Sequence, residues 1–286
     1  MRRGRAAERA VAASLPLSPG GRGLGVCKAS GADNNGTMFW RAPVLFPVSS
    51  SRRWRIRWRQ YVRATQRPLY SLLFLLPLVV VYELAAWRMD DGTGGGRNLL
   101  AHSAIAGLLS WFGLVGVWGP PVVLVVALLT WHYRRRDRWR VRWWVLPGML
   151  GEGLVLAIPL LVFSALFQPP QPGVGGSHLQ LVQGLGAGIY EELVFRLLLI
   201  SGMTWLLVEV FRVWRPAATW TAVALAAVVF SLCHFAPIGA GPFAWGAFWF
   251  RVLAGVYLSV IFVGRGVGVS SGSHAAYNML LVWLRS

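Results

Sequence analysis

The sequence predicts an all-α, polytopic transmembrane helical bundle, and three observations predict it. Apolar residues make up 56% of the 286 residues and charged residues only 13%, about half the charged share of an average soluble domain. Mean hydropathy is +0.53. Several uninterrupted apolar runs approach or exceed the roughly 20 residues that a helix needs to cross a bilayer.

The net charge of +18 would suggest nucleic acid on a soluble protein. Its distribution argues against that partner. Arginines crowd at Arg52, Arg53, Arg55, Arg57, Arg59, Arg63 and Arg67, and again at Arg134, Arg135, Arg136, Arg138, Arg140 and Arg142. Both clusters abut apolar runs, as cytoplasmic loops do when they hold a topology and meet anionic headgroups. The implied partner is the lipid bilayer, and nucleic acid is excluded. With Lys28 as the lone lysine, the arginine excess reads as a genomic composition bias. Cys27 and Cys233 are the two cysteines, which gives neither a disulfide framework nor a CxxC zinc site.

Residues 1–37 are rich in Gly, Ala, Ser and Arg and carry Ser18-Pro19-Gly20-Gly21-Arg22-Gly23. They read as a disordered tail or, with Met38 as a second start, an untranslated one. Residues 38–67 interleave the first arginine cluster with Trp54, Trp58 and Tyr61, the signature of a basic interfacial segment. Residues 68–167 read as amino-terminal transmembrane helices. The first span is Leu69–Trp87, interrupted by Pro77, and Arg88–Arg97 is a glycine-rich link on the less basic side. Two basic clusters on one side require an even number of crossings between them. That places an interfacial or re-entrant piece at about 98–112 and a span at about 113–133. Further spans are expected at about 143–167, 178–200, 217–236, 246–264 and 268–284, with 201–215 as a surface or half-inserted helix. The count is about seven, within six to eight. The amino end is expected in the cytoplasm and the chain in the plasma (inner) membrane. Residues 168–286 form the region in which the chemistry gathers.

Ionisable residues inside membrane helices are costly and persist when they face inward with a partner. Glu191, Glu192, Arg196, His234, Arg251, Arg265 and His274 fall in this region, with Glu83 and Glu152 earlier in the chain. Glu83 and Glu152 stand near span ends and read as structural. Adjacent Glu191 and Glu192 in an apolar helix are unfavourable, because like charge and removal from water both oppose ionisation. Arg196, four residues on, shares a face with Glu192 and can neutralise it. Glu191 points roughly 100° away and is free to face a neighbouring helix and a water as a general base. Gly184 and Gly188 allow another helix to approach closely. The next span ends Phe230-Ser-Leu-Cys-His234, and the last holds His274 and Asn278, four apart on one face. Two carboxylates, two imidazoles, an amide and a guanidinium on three helices suit water activation with oxyanion stabilisation. Glu191, His234 and His274 also suit a divalent metal such as zinc.

Taken in order, Glu-Glu-x-x-x-Arg (Glu191, Glu192, Arg196), Phe-x-x-x-His (Phe230, His234) and His-x-x-x-Asn (His274, Asn278) resemble the signature of the CPBP family. That family includes the type II CAAX prenyl endopeptidases and bacteriocin-processing or self-immunity proteins. The resemblance covers residues 178–284. It implies an intramembrane endopeptidase, a hydrolase acting on a membrane-associated and in some relatives lipidated peptide. Glu191 would activate water with His234, His274 and Asn278 would stabilise the oxyanion, and Glu192, Arg196 and Phe230 would support them. Metal-dependent and metal-free forms of the mechanism both stay open at this point.

Blander readings stand beside these. Glu192 with Arg196 is also what a structural ion pair looks like. His234, before Pro237, could cap its helix, and His274 with Asn278 could be interhelical hydrogen-bond glue. Cys233 reads as a small apolar filler. Gly268-Val-Ser270-Ser-Gly272 fits the nucleophile-elbow pattern but lacks its strand–turn–helix context. The competing functions are a non-proteolytic immunity, chaperone or interaction protein of the same family, and a transporter using these groups as a proton relay.

Overall fold

The computed structural model describes residues 52–89, 103, 105–107, 118–167, 178–235 and 242–285. The expected tail and nearly all of the piece at about 98–112 lie outside the described residues. Those that are described are helical apart from short turns, with no strand ladder among them. In chain order the helices are α1 (Arg52–Thr65), α2 (Pro68–Arg88), α3 (Gly119–Arg135), α4 (Val145–Phe167), α5 (His178–Val210), α6 (Arg215–Leu232), α7 (Trp245–Arg265) and α8 (Val267–Arg285).

Local chemistry explains the boundaries. Pro68 opens α2, Pro120 and Pro121 open α3, and Pro216 follows the first residue of α6. Proline costs nothing in the first turn, where its missing N–H has no intrahelical partner. Helix α3 closes on Arg134 and Arg135, whose charges oppose the negative end of its dipole, and Arg136 turns the chain at φ 52°. Between α7 and α8 stands a single residue, Gly266, at φ 90°. A side chain there would be strained by that angle, and its Cβ would come within 2.7 Å of the Thr65 carbonyl oxygen.

Among the described residues, helices α2, α4, α5, α6 and α7 are long and apolar enough to cross a membrane, five where the sequence suggests about seven. The difference lies in α3 and α8. Helix α3 has 17 described residues. Helix α8 carries Ser270, Ser271, Ser273, His274 and Asn278, yet its first half is buried throughout, so its polar residues face protein. The outer surfaces carry large exposed aliphatics, among them Leu76, Val80, Val81, Val155, Ile158 and Val162. In water such a surface would be an association liability; in lipid it is the required one. Exposed tryptophans stand at helix ends, including Trp87, Trp118, Trp143, Trp214, Trp245 and Trp283, where their amphipathic rings suit the headgroup level. The protein is an integral membrane protein.

One boundary differs from the sequence reading. The separate surface helix expected at 201–215 is the end of one 33-residue helix, α5, which runs on to Val210. At 1.5 Å per residue it is about 50 Å long, more than the roughly 30 Å hydrocarbon core. Its hydrogen bonding widens to π-type over Glu192–Ile200 and again over Leu206–Val210. π-Type turns are uncommon and often accompany functional sites.

Helix α8 packs against α2, α4, α5 and α7 and forms the centre of the bundle. The close approach expected at Gly184 and Gly188 is realised against this helix. A Cβ on Gly188 would sit 2.5 Å from the Ala275 nitrogen and 2.6 Å from its Cα, and one on Gly184 would sit 3.0 Å from the Asn278 Cβ. The clash at Gly188 is with backbone, which cannot rotate away. Gly188→Ala is therefore expected to cost about 1–3 kcal/mol by overpacking, and Gly188→Val more. Thermal unfolding in detergent micelles checks this; a wild-type midpoint for Gly188→Val would mean that the two helices do not meet this way.

The basic end is tied to the bundle by polar contacts. Arg265 donates two hydrogen bonds to Glu152, of 2.6 and 2.5 Å, and Tyr61 donates a third of 2.8 Å. The Arg265 guanidinium also lies over the Trp58 and Tyr61 rings. Burial, and then the Glu152 charge, push the Tyr61 phenol up, which keeps it a donor. Gln66 adds a hydrogen bond to the Gly264 carbonyl. These contacts fasten α1 to α4 and α7, and they give Glu152 the structural role read from its position.

Candidate active site

Helices α5, α6 and α8 bring the predicted residues together. Val210, at the end of α5, lies nineteen positions after Glu191, and His234 lies nineteen positions after Arg215. Antiparallel arms of equal length place the end of α6 opposite Glu191. A glutamate within α5 and a histidine at the end of α6 therefore meet. His234 lies just past Leu232, held by a 3.2 Å hydrogen bond from its own N–H to the Ser231 carbonyl.

The two glutamates divide as their 100° offset requires. Glu192 is fully buried and multiply bonded. One of its oxygens is 3.1 Å from the Arg196 guanidinium and 3.0 Å from His274 Nδ1, and the other accepts from the Ser270 hydroxyl. Glu191 faces the two imidazoles, with Oε1 3.7 Å from His234 Nε2 and Oε2 3.8 Å from His274 Nε2. Both separations exceed direct hydrogen-bonding distance.

The imidazoles are oriented from behind. His234 Nδ1 is 2.8 Å from the Phe230 carbonyl, and His274 Nδ1 is 3.0 Å from Glu192. A carbonyl or carboxylate oxygen only accepts, so each Nδ1 carries the proton. Each Nε2 is thereby turned toward Glu191. Phe230 forms the wall between them. Its ring is 4.8 Å from that of His234 and 6.3 Å from that of His274, and the Arg196 guanidinium lies 4.5 Å from its centroid. Asn278 donates from Nδ2 to the Gly184 carbonyl at 3.0 Å, and the amide has a second N–H.

These side chains line a cavity of about 230 Å³, with Glu191, His234, His274 and Asn278 at its polar part and Leu160, Ala254 and Leu258 among its apolar walls. A larger cavity of about 410 Å³ lies between α2 and α3, walled by aliphatic side chains, Trp118 and Glu83. Glu83 is its single acidic or basic lining residue, whereas the smaller cavity gathers Glu191, His234, Arg251 and His274.

Three contacts lay outside the sequence reading. Ser270, dismissed as a nucleophile, is fully buried and serves as a donor to Glu192. It stands at the head of a stripe, Ser270, His274 and Asn278, spaced four apart on one helix face, and that spacing was the available signal. Tyr190 donates to Glu83 at 2.6 Å and so ties α2 to the residue beside Glu191. Arg251, noted only as ionisable, lines the cavity.

A metal was left open by the donor types. Among the described residues, no three His, Cys, Asp or Glu form a group arranged to hold a metal ion, and Glu191 lies 3.7 and 3.8 Å from the two imidazole nitrogens.

Residues 177–280 match the family model described as Type II CAAX prenyl endopeptidase Rce1-like. The match spans just over a third of the chain and contains all seven motif residues. It supports membership of the CPBP/CAAX protease family, and with it CAAX-type intramembrane protease activity in general. No curated protein and no solved structure matches the chain.

Proposed function

We propose that this CAAX-protease-type membrane protein hydrolyses a peptide bond of a membrane-associated substrate with water activated by Glu191 and His234. The observation that carries the reading is the convergence of two oriented Nε2 atoms on one carboxylate, 3.7 and 3.8 Å away. Separations of that size suit a water lying to one side and bridging both groups. Glu191 takes a proton as the water oxygen attacks the scissile carbonyl carbon. The developing oxyanion is met by the second N–H of Asn278 and by Nε2–H of protonated His274, whose Nδ1–H stays on Glu192. The C–N bond then breaks and the amine leaves with the proton held by Glu191. Glu192, Arg196, Ser270 and Phe230 keep His274 and His234 in place. No step requires a metal.

The amino end and the two arginine clusters are assigned to the cytoplasmic side by the positive-inside rule, and the membrane is assigned as the plasma (inner) membrane. The test is cleavage by purified protein in proteoliposomes, using lipidated and membrane-inserted peptides with new termini mapped by mass spectrometry, with and without chelator. Chelator-insensitive cuts are expected. Loss of all cuts with chelator would transfer water activation to a metal. No new termini from a folded protein would move the reading to a non-proteolytic member.

A further inference from the structure

One buried carboxylate has no part in the proposed reaction. Glu83, on α2, is 2% exposed. It accepts a 2.6 Å hydrogen bond from the Tyr190 hydroxyl, at the short end of O–H···O bonds. Tyr190 is fully buried, and its ring meets that of Tyr82 edge-on, with centroids 5.5 Å apart. An acidic side chain inside a membrane helix is costly and persists where it serves a purpose. Tyr190 immediately precedes Glu191, so the bond grips α5 one residue from the proposed base. Successive side chains on a helix are turned by about 100°. Tyr190 and Glu192 therefore leave α5 on opposite sides of Glu191. Glu192 is fastened to Arg196, His274 and Ser270, and Tyr190 is fastened to α2. Glu191 itself stands 3.7 and 3.8 Å from the two imidazoles, beyond direct bonding, so its direction depends on how α5 is held. The π-type hydrogen bonding of α5 begins at Glu192, so the regular α-helical register ends where Glu191 must be aimed.

We propose that Glu83 is a positioning residue: through Tyr190 it fixes the rotation of α5, and with it the direction in which Glu191 presents its carboxylate to His234 and His274. A carboxylate on a helix ends about 6 Å from the helix axis, so a turn of about 10° moves it by about 1 Å. A misplacement of that size at a reacting group can cost about 100-fold in rate. One tether lets a helix pivot about it. Two tethers on opposite sides of Glu191, running to different helices, do not. Glu83 lines the apolar cavity between α2 and α3 and not the cavity of Glu191, so it acts through Tyr190 and not on the substrate. This inference rests on the proposed role of Glu191 as the base.

The test compares Tyr190→Phe, Glu83→Leu, Glu83→Gln and Tyr61→Phe, each in the full chain in nanodiscs. Tyr61→Phe is the control, because it removes a tyrosine–glutamate bond of 2.8 Å to Glu152 that does not involve α5. Tyr190→Phe and Glu83→Leu are expected to lower kcat by about 10- to 100-fold with KM little changed, since the cavity walls are untouched. Glu83→Gln should keep most of kcat, because an amide oxygen still accepts from the hydroxyl. Tyr61→Phe should leave kcat alone even where its thermal midpoint falls. Tyr190→Phe keeps the ring, so it carries the test if Glu83→Leu does not fold. Nitrogen NMR shifts of the His234 and His274 imidazoles read the same placement without turnover. They should move in Tyr190→Phe and Glu83→Leu and stay in the other two. An unchanged kcat in Tyr190→Phe, a loss carried by KM, a Glu83→Gln as impaired as Glu83→Leu, or an equal loss in Tyr61→Phe would each overturn the assignment. If the unmutated protein cuts nothing, the imidazole shifts decide alone. Shifts that move then keep the tether and remove the protease reading. Unmoved shifts in a protein that cuts do the reverse, and unmoved shifts in one that does not cut end both.

Discussion

Glu191→Gln is expected to lower kcat by at least about 100-fold and up to about 10⁴-fold, the range that a positioned general base contributes, with little change in the folded state. The substitution keeps the volume and one oxygen of the side chain but removes its capacity to take a proton. The surrounding cage does not depend on that charge. His234 keeps its bond to the Phe230 carbonyl and His274 keeps its bond to Glu192, so both rings stay oriented. Substrate affinity should therefore hold while turnover falls, and KM against kcat separates the two. His234→Ala should fall in the same direction, and the double variant should fall little further than Glu191→Gln alone, because residues acting on one water behave as a unit. Independent, multiplying losses would show that the two residues serve different steps. Retained turnover in Glu191→Gln would end the water-activation mechanism.

How much of this could be read from the residues depended on the physics of each feature. The helical membrane class came from long apolar runs, which have one stable solution in lipid because every backbone polar group must be paired internally. The site came from the cost of buried charge. Glu191, Glu192, Arg196, His234, His274 and Asn278 stand out against apolar neighbours, and three of their spacings are one helical turn. The Glu192–Arg196 pair and the Gly188 contact follow from that turn and from side-chain size. The length of α5 was not legible. Its second half is apolar but carries Glu209, and the same residues suit a surface helix or an extended one until α6 is packed beside them. The π-type stretch from Glu192 leaves no local mark either, since it depends on what α8 and α6 press against it. The hydrogen bond from Ser270 to Glu192 has no local mark beyond the four-residue spacing that Ser270 shares with His274. Arg251 was visible as an intramembrane charge, but its place in the wall of the Glu191 cavity is a tertiary property.

Removal of Glu192 is expected to have the largest effect on stability. Glu192 is fully buried and Arg196 is 1% exposed, so Glu192→Leu leaves a guanidinium with no counter-ion in the middle of the bundle. Breaking a buried pair from one side typically costs about 3–5 kcal/mol. The Phe230 ring under Arg196 recovers a small part through cation–π attraction. His274 loses its acceptor at the same time, which adds an unsatisfied buried donor, while the Ser270 hydroxyl still reaches the Leu258 carbonyl at 3.0 Å. Glu192→Gln should cost less, because an amide oxygen still accepts from His274 Nδ1. The double variant Glu192→Leu with Arg196→Met should be more stable than Glu192→Leu alone, because it deletes the stranded charge as well. Thermal unfolding in micelles provides the cycle, and a coupling of the order of 1–3 kcal/mol is expected for groups in direct contact. Activity should not follow stability. The double variant restores the fold but leaves His274 without the carboxylate that fixes its tautomer, so turnover should stay low while the midpoint recovers. Recovery of both together would mean that Glu192 serves the fold alone, and that His274 finds its orientation without it.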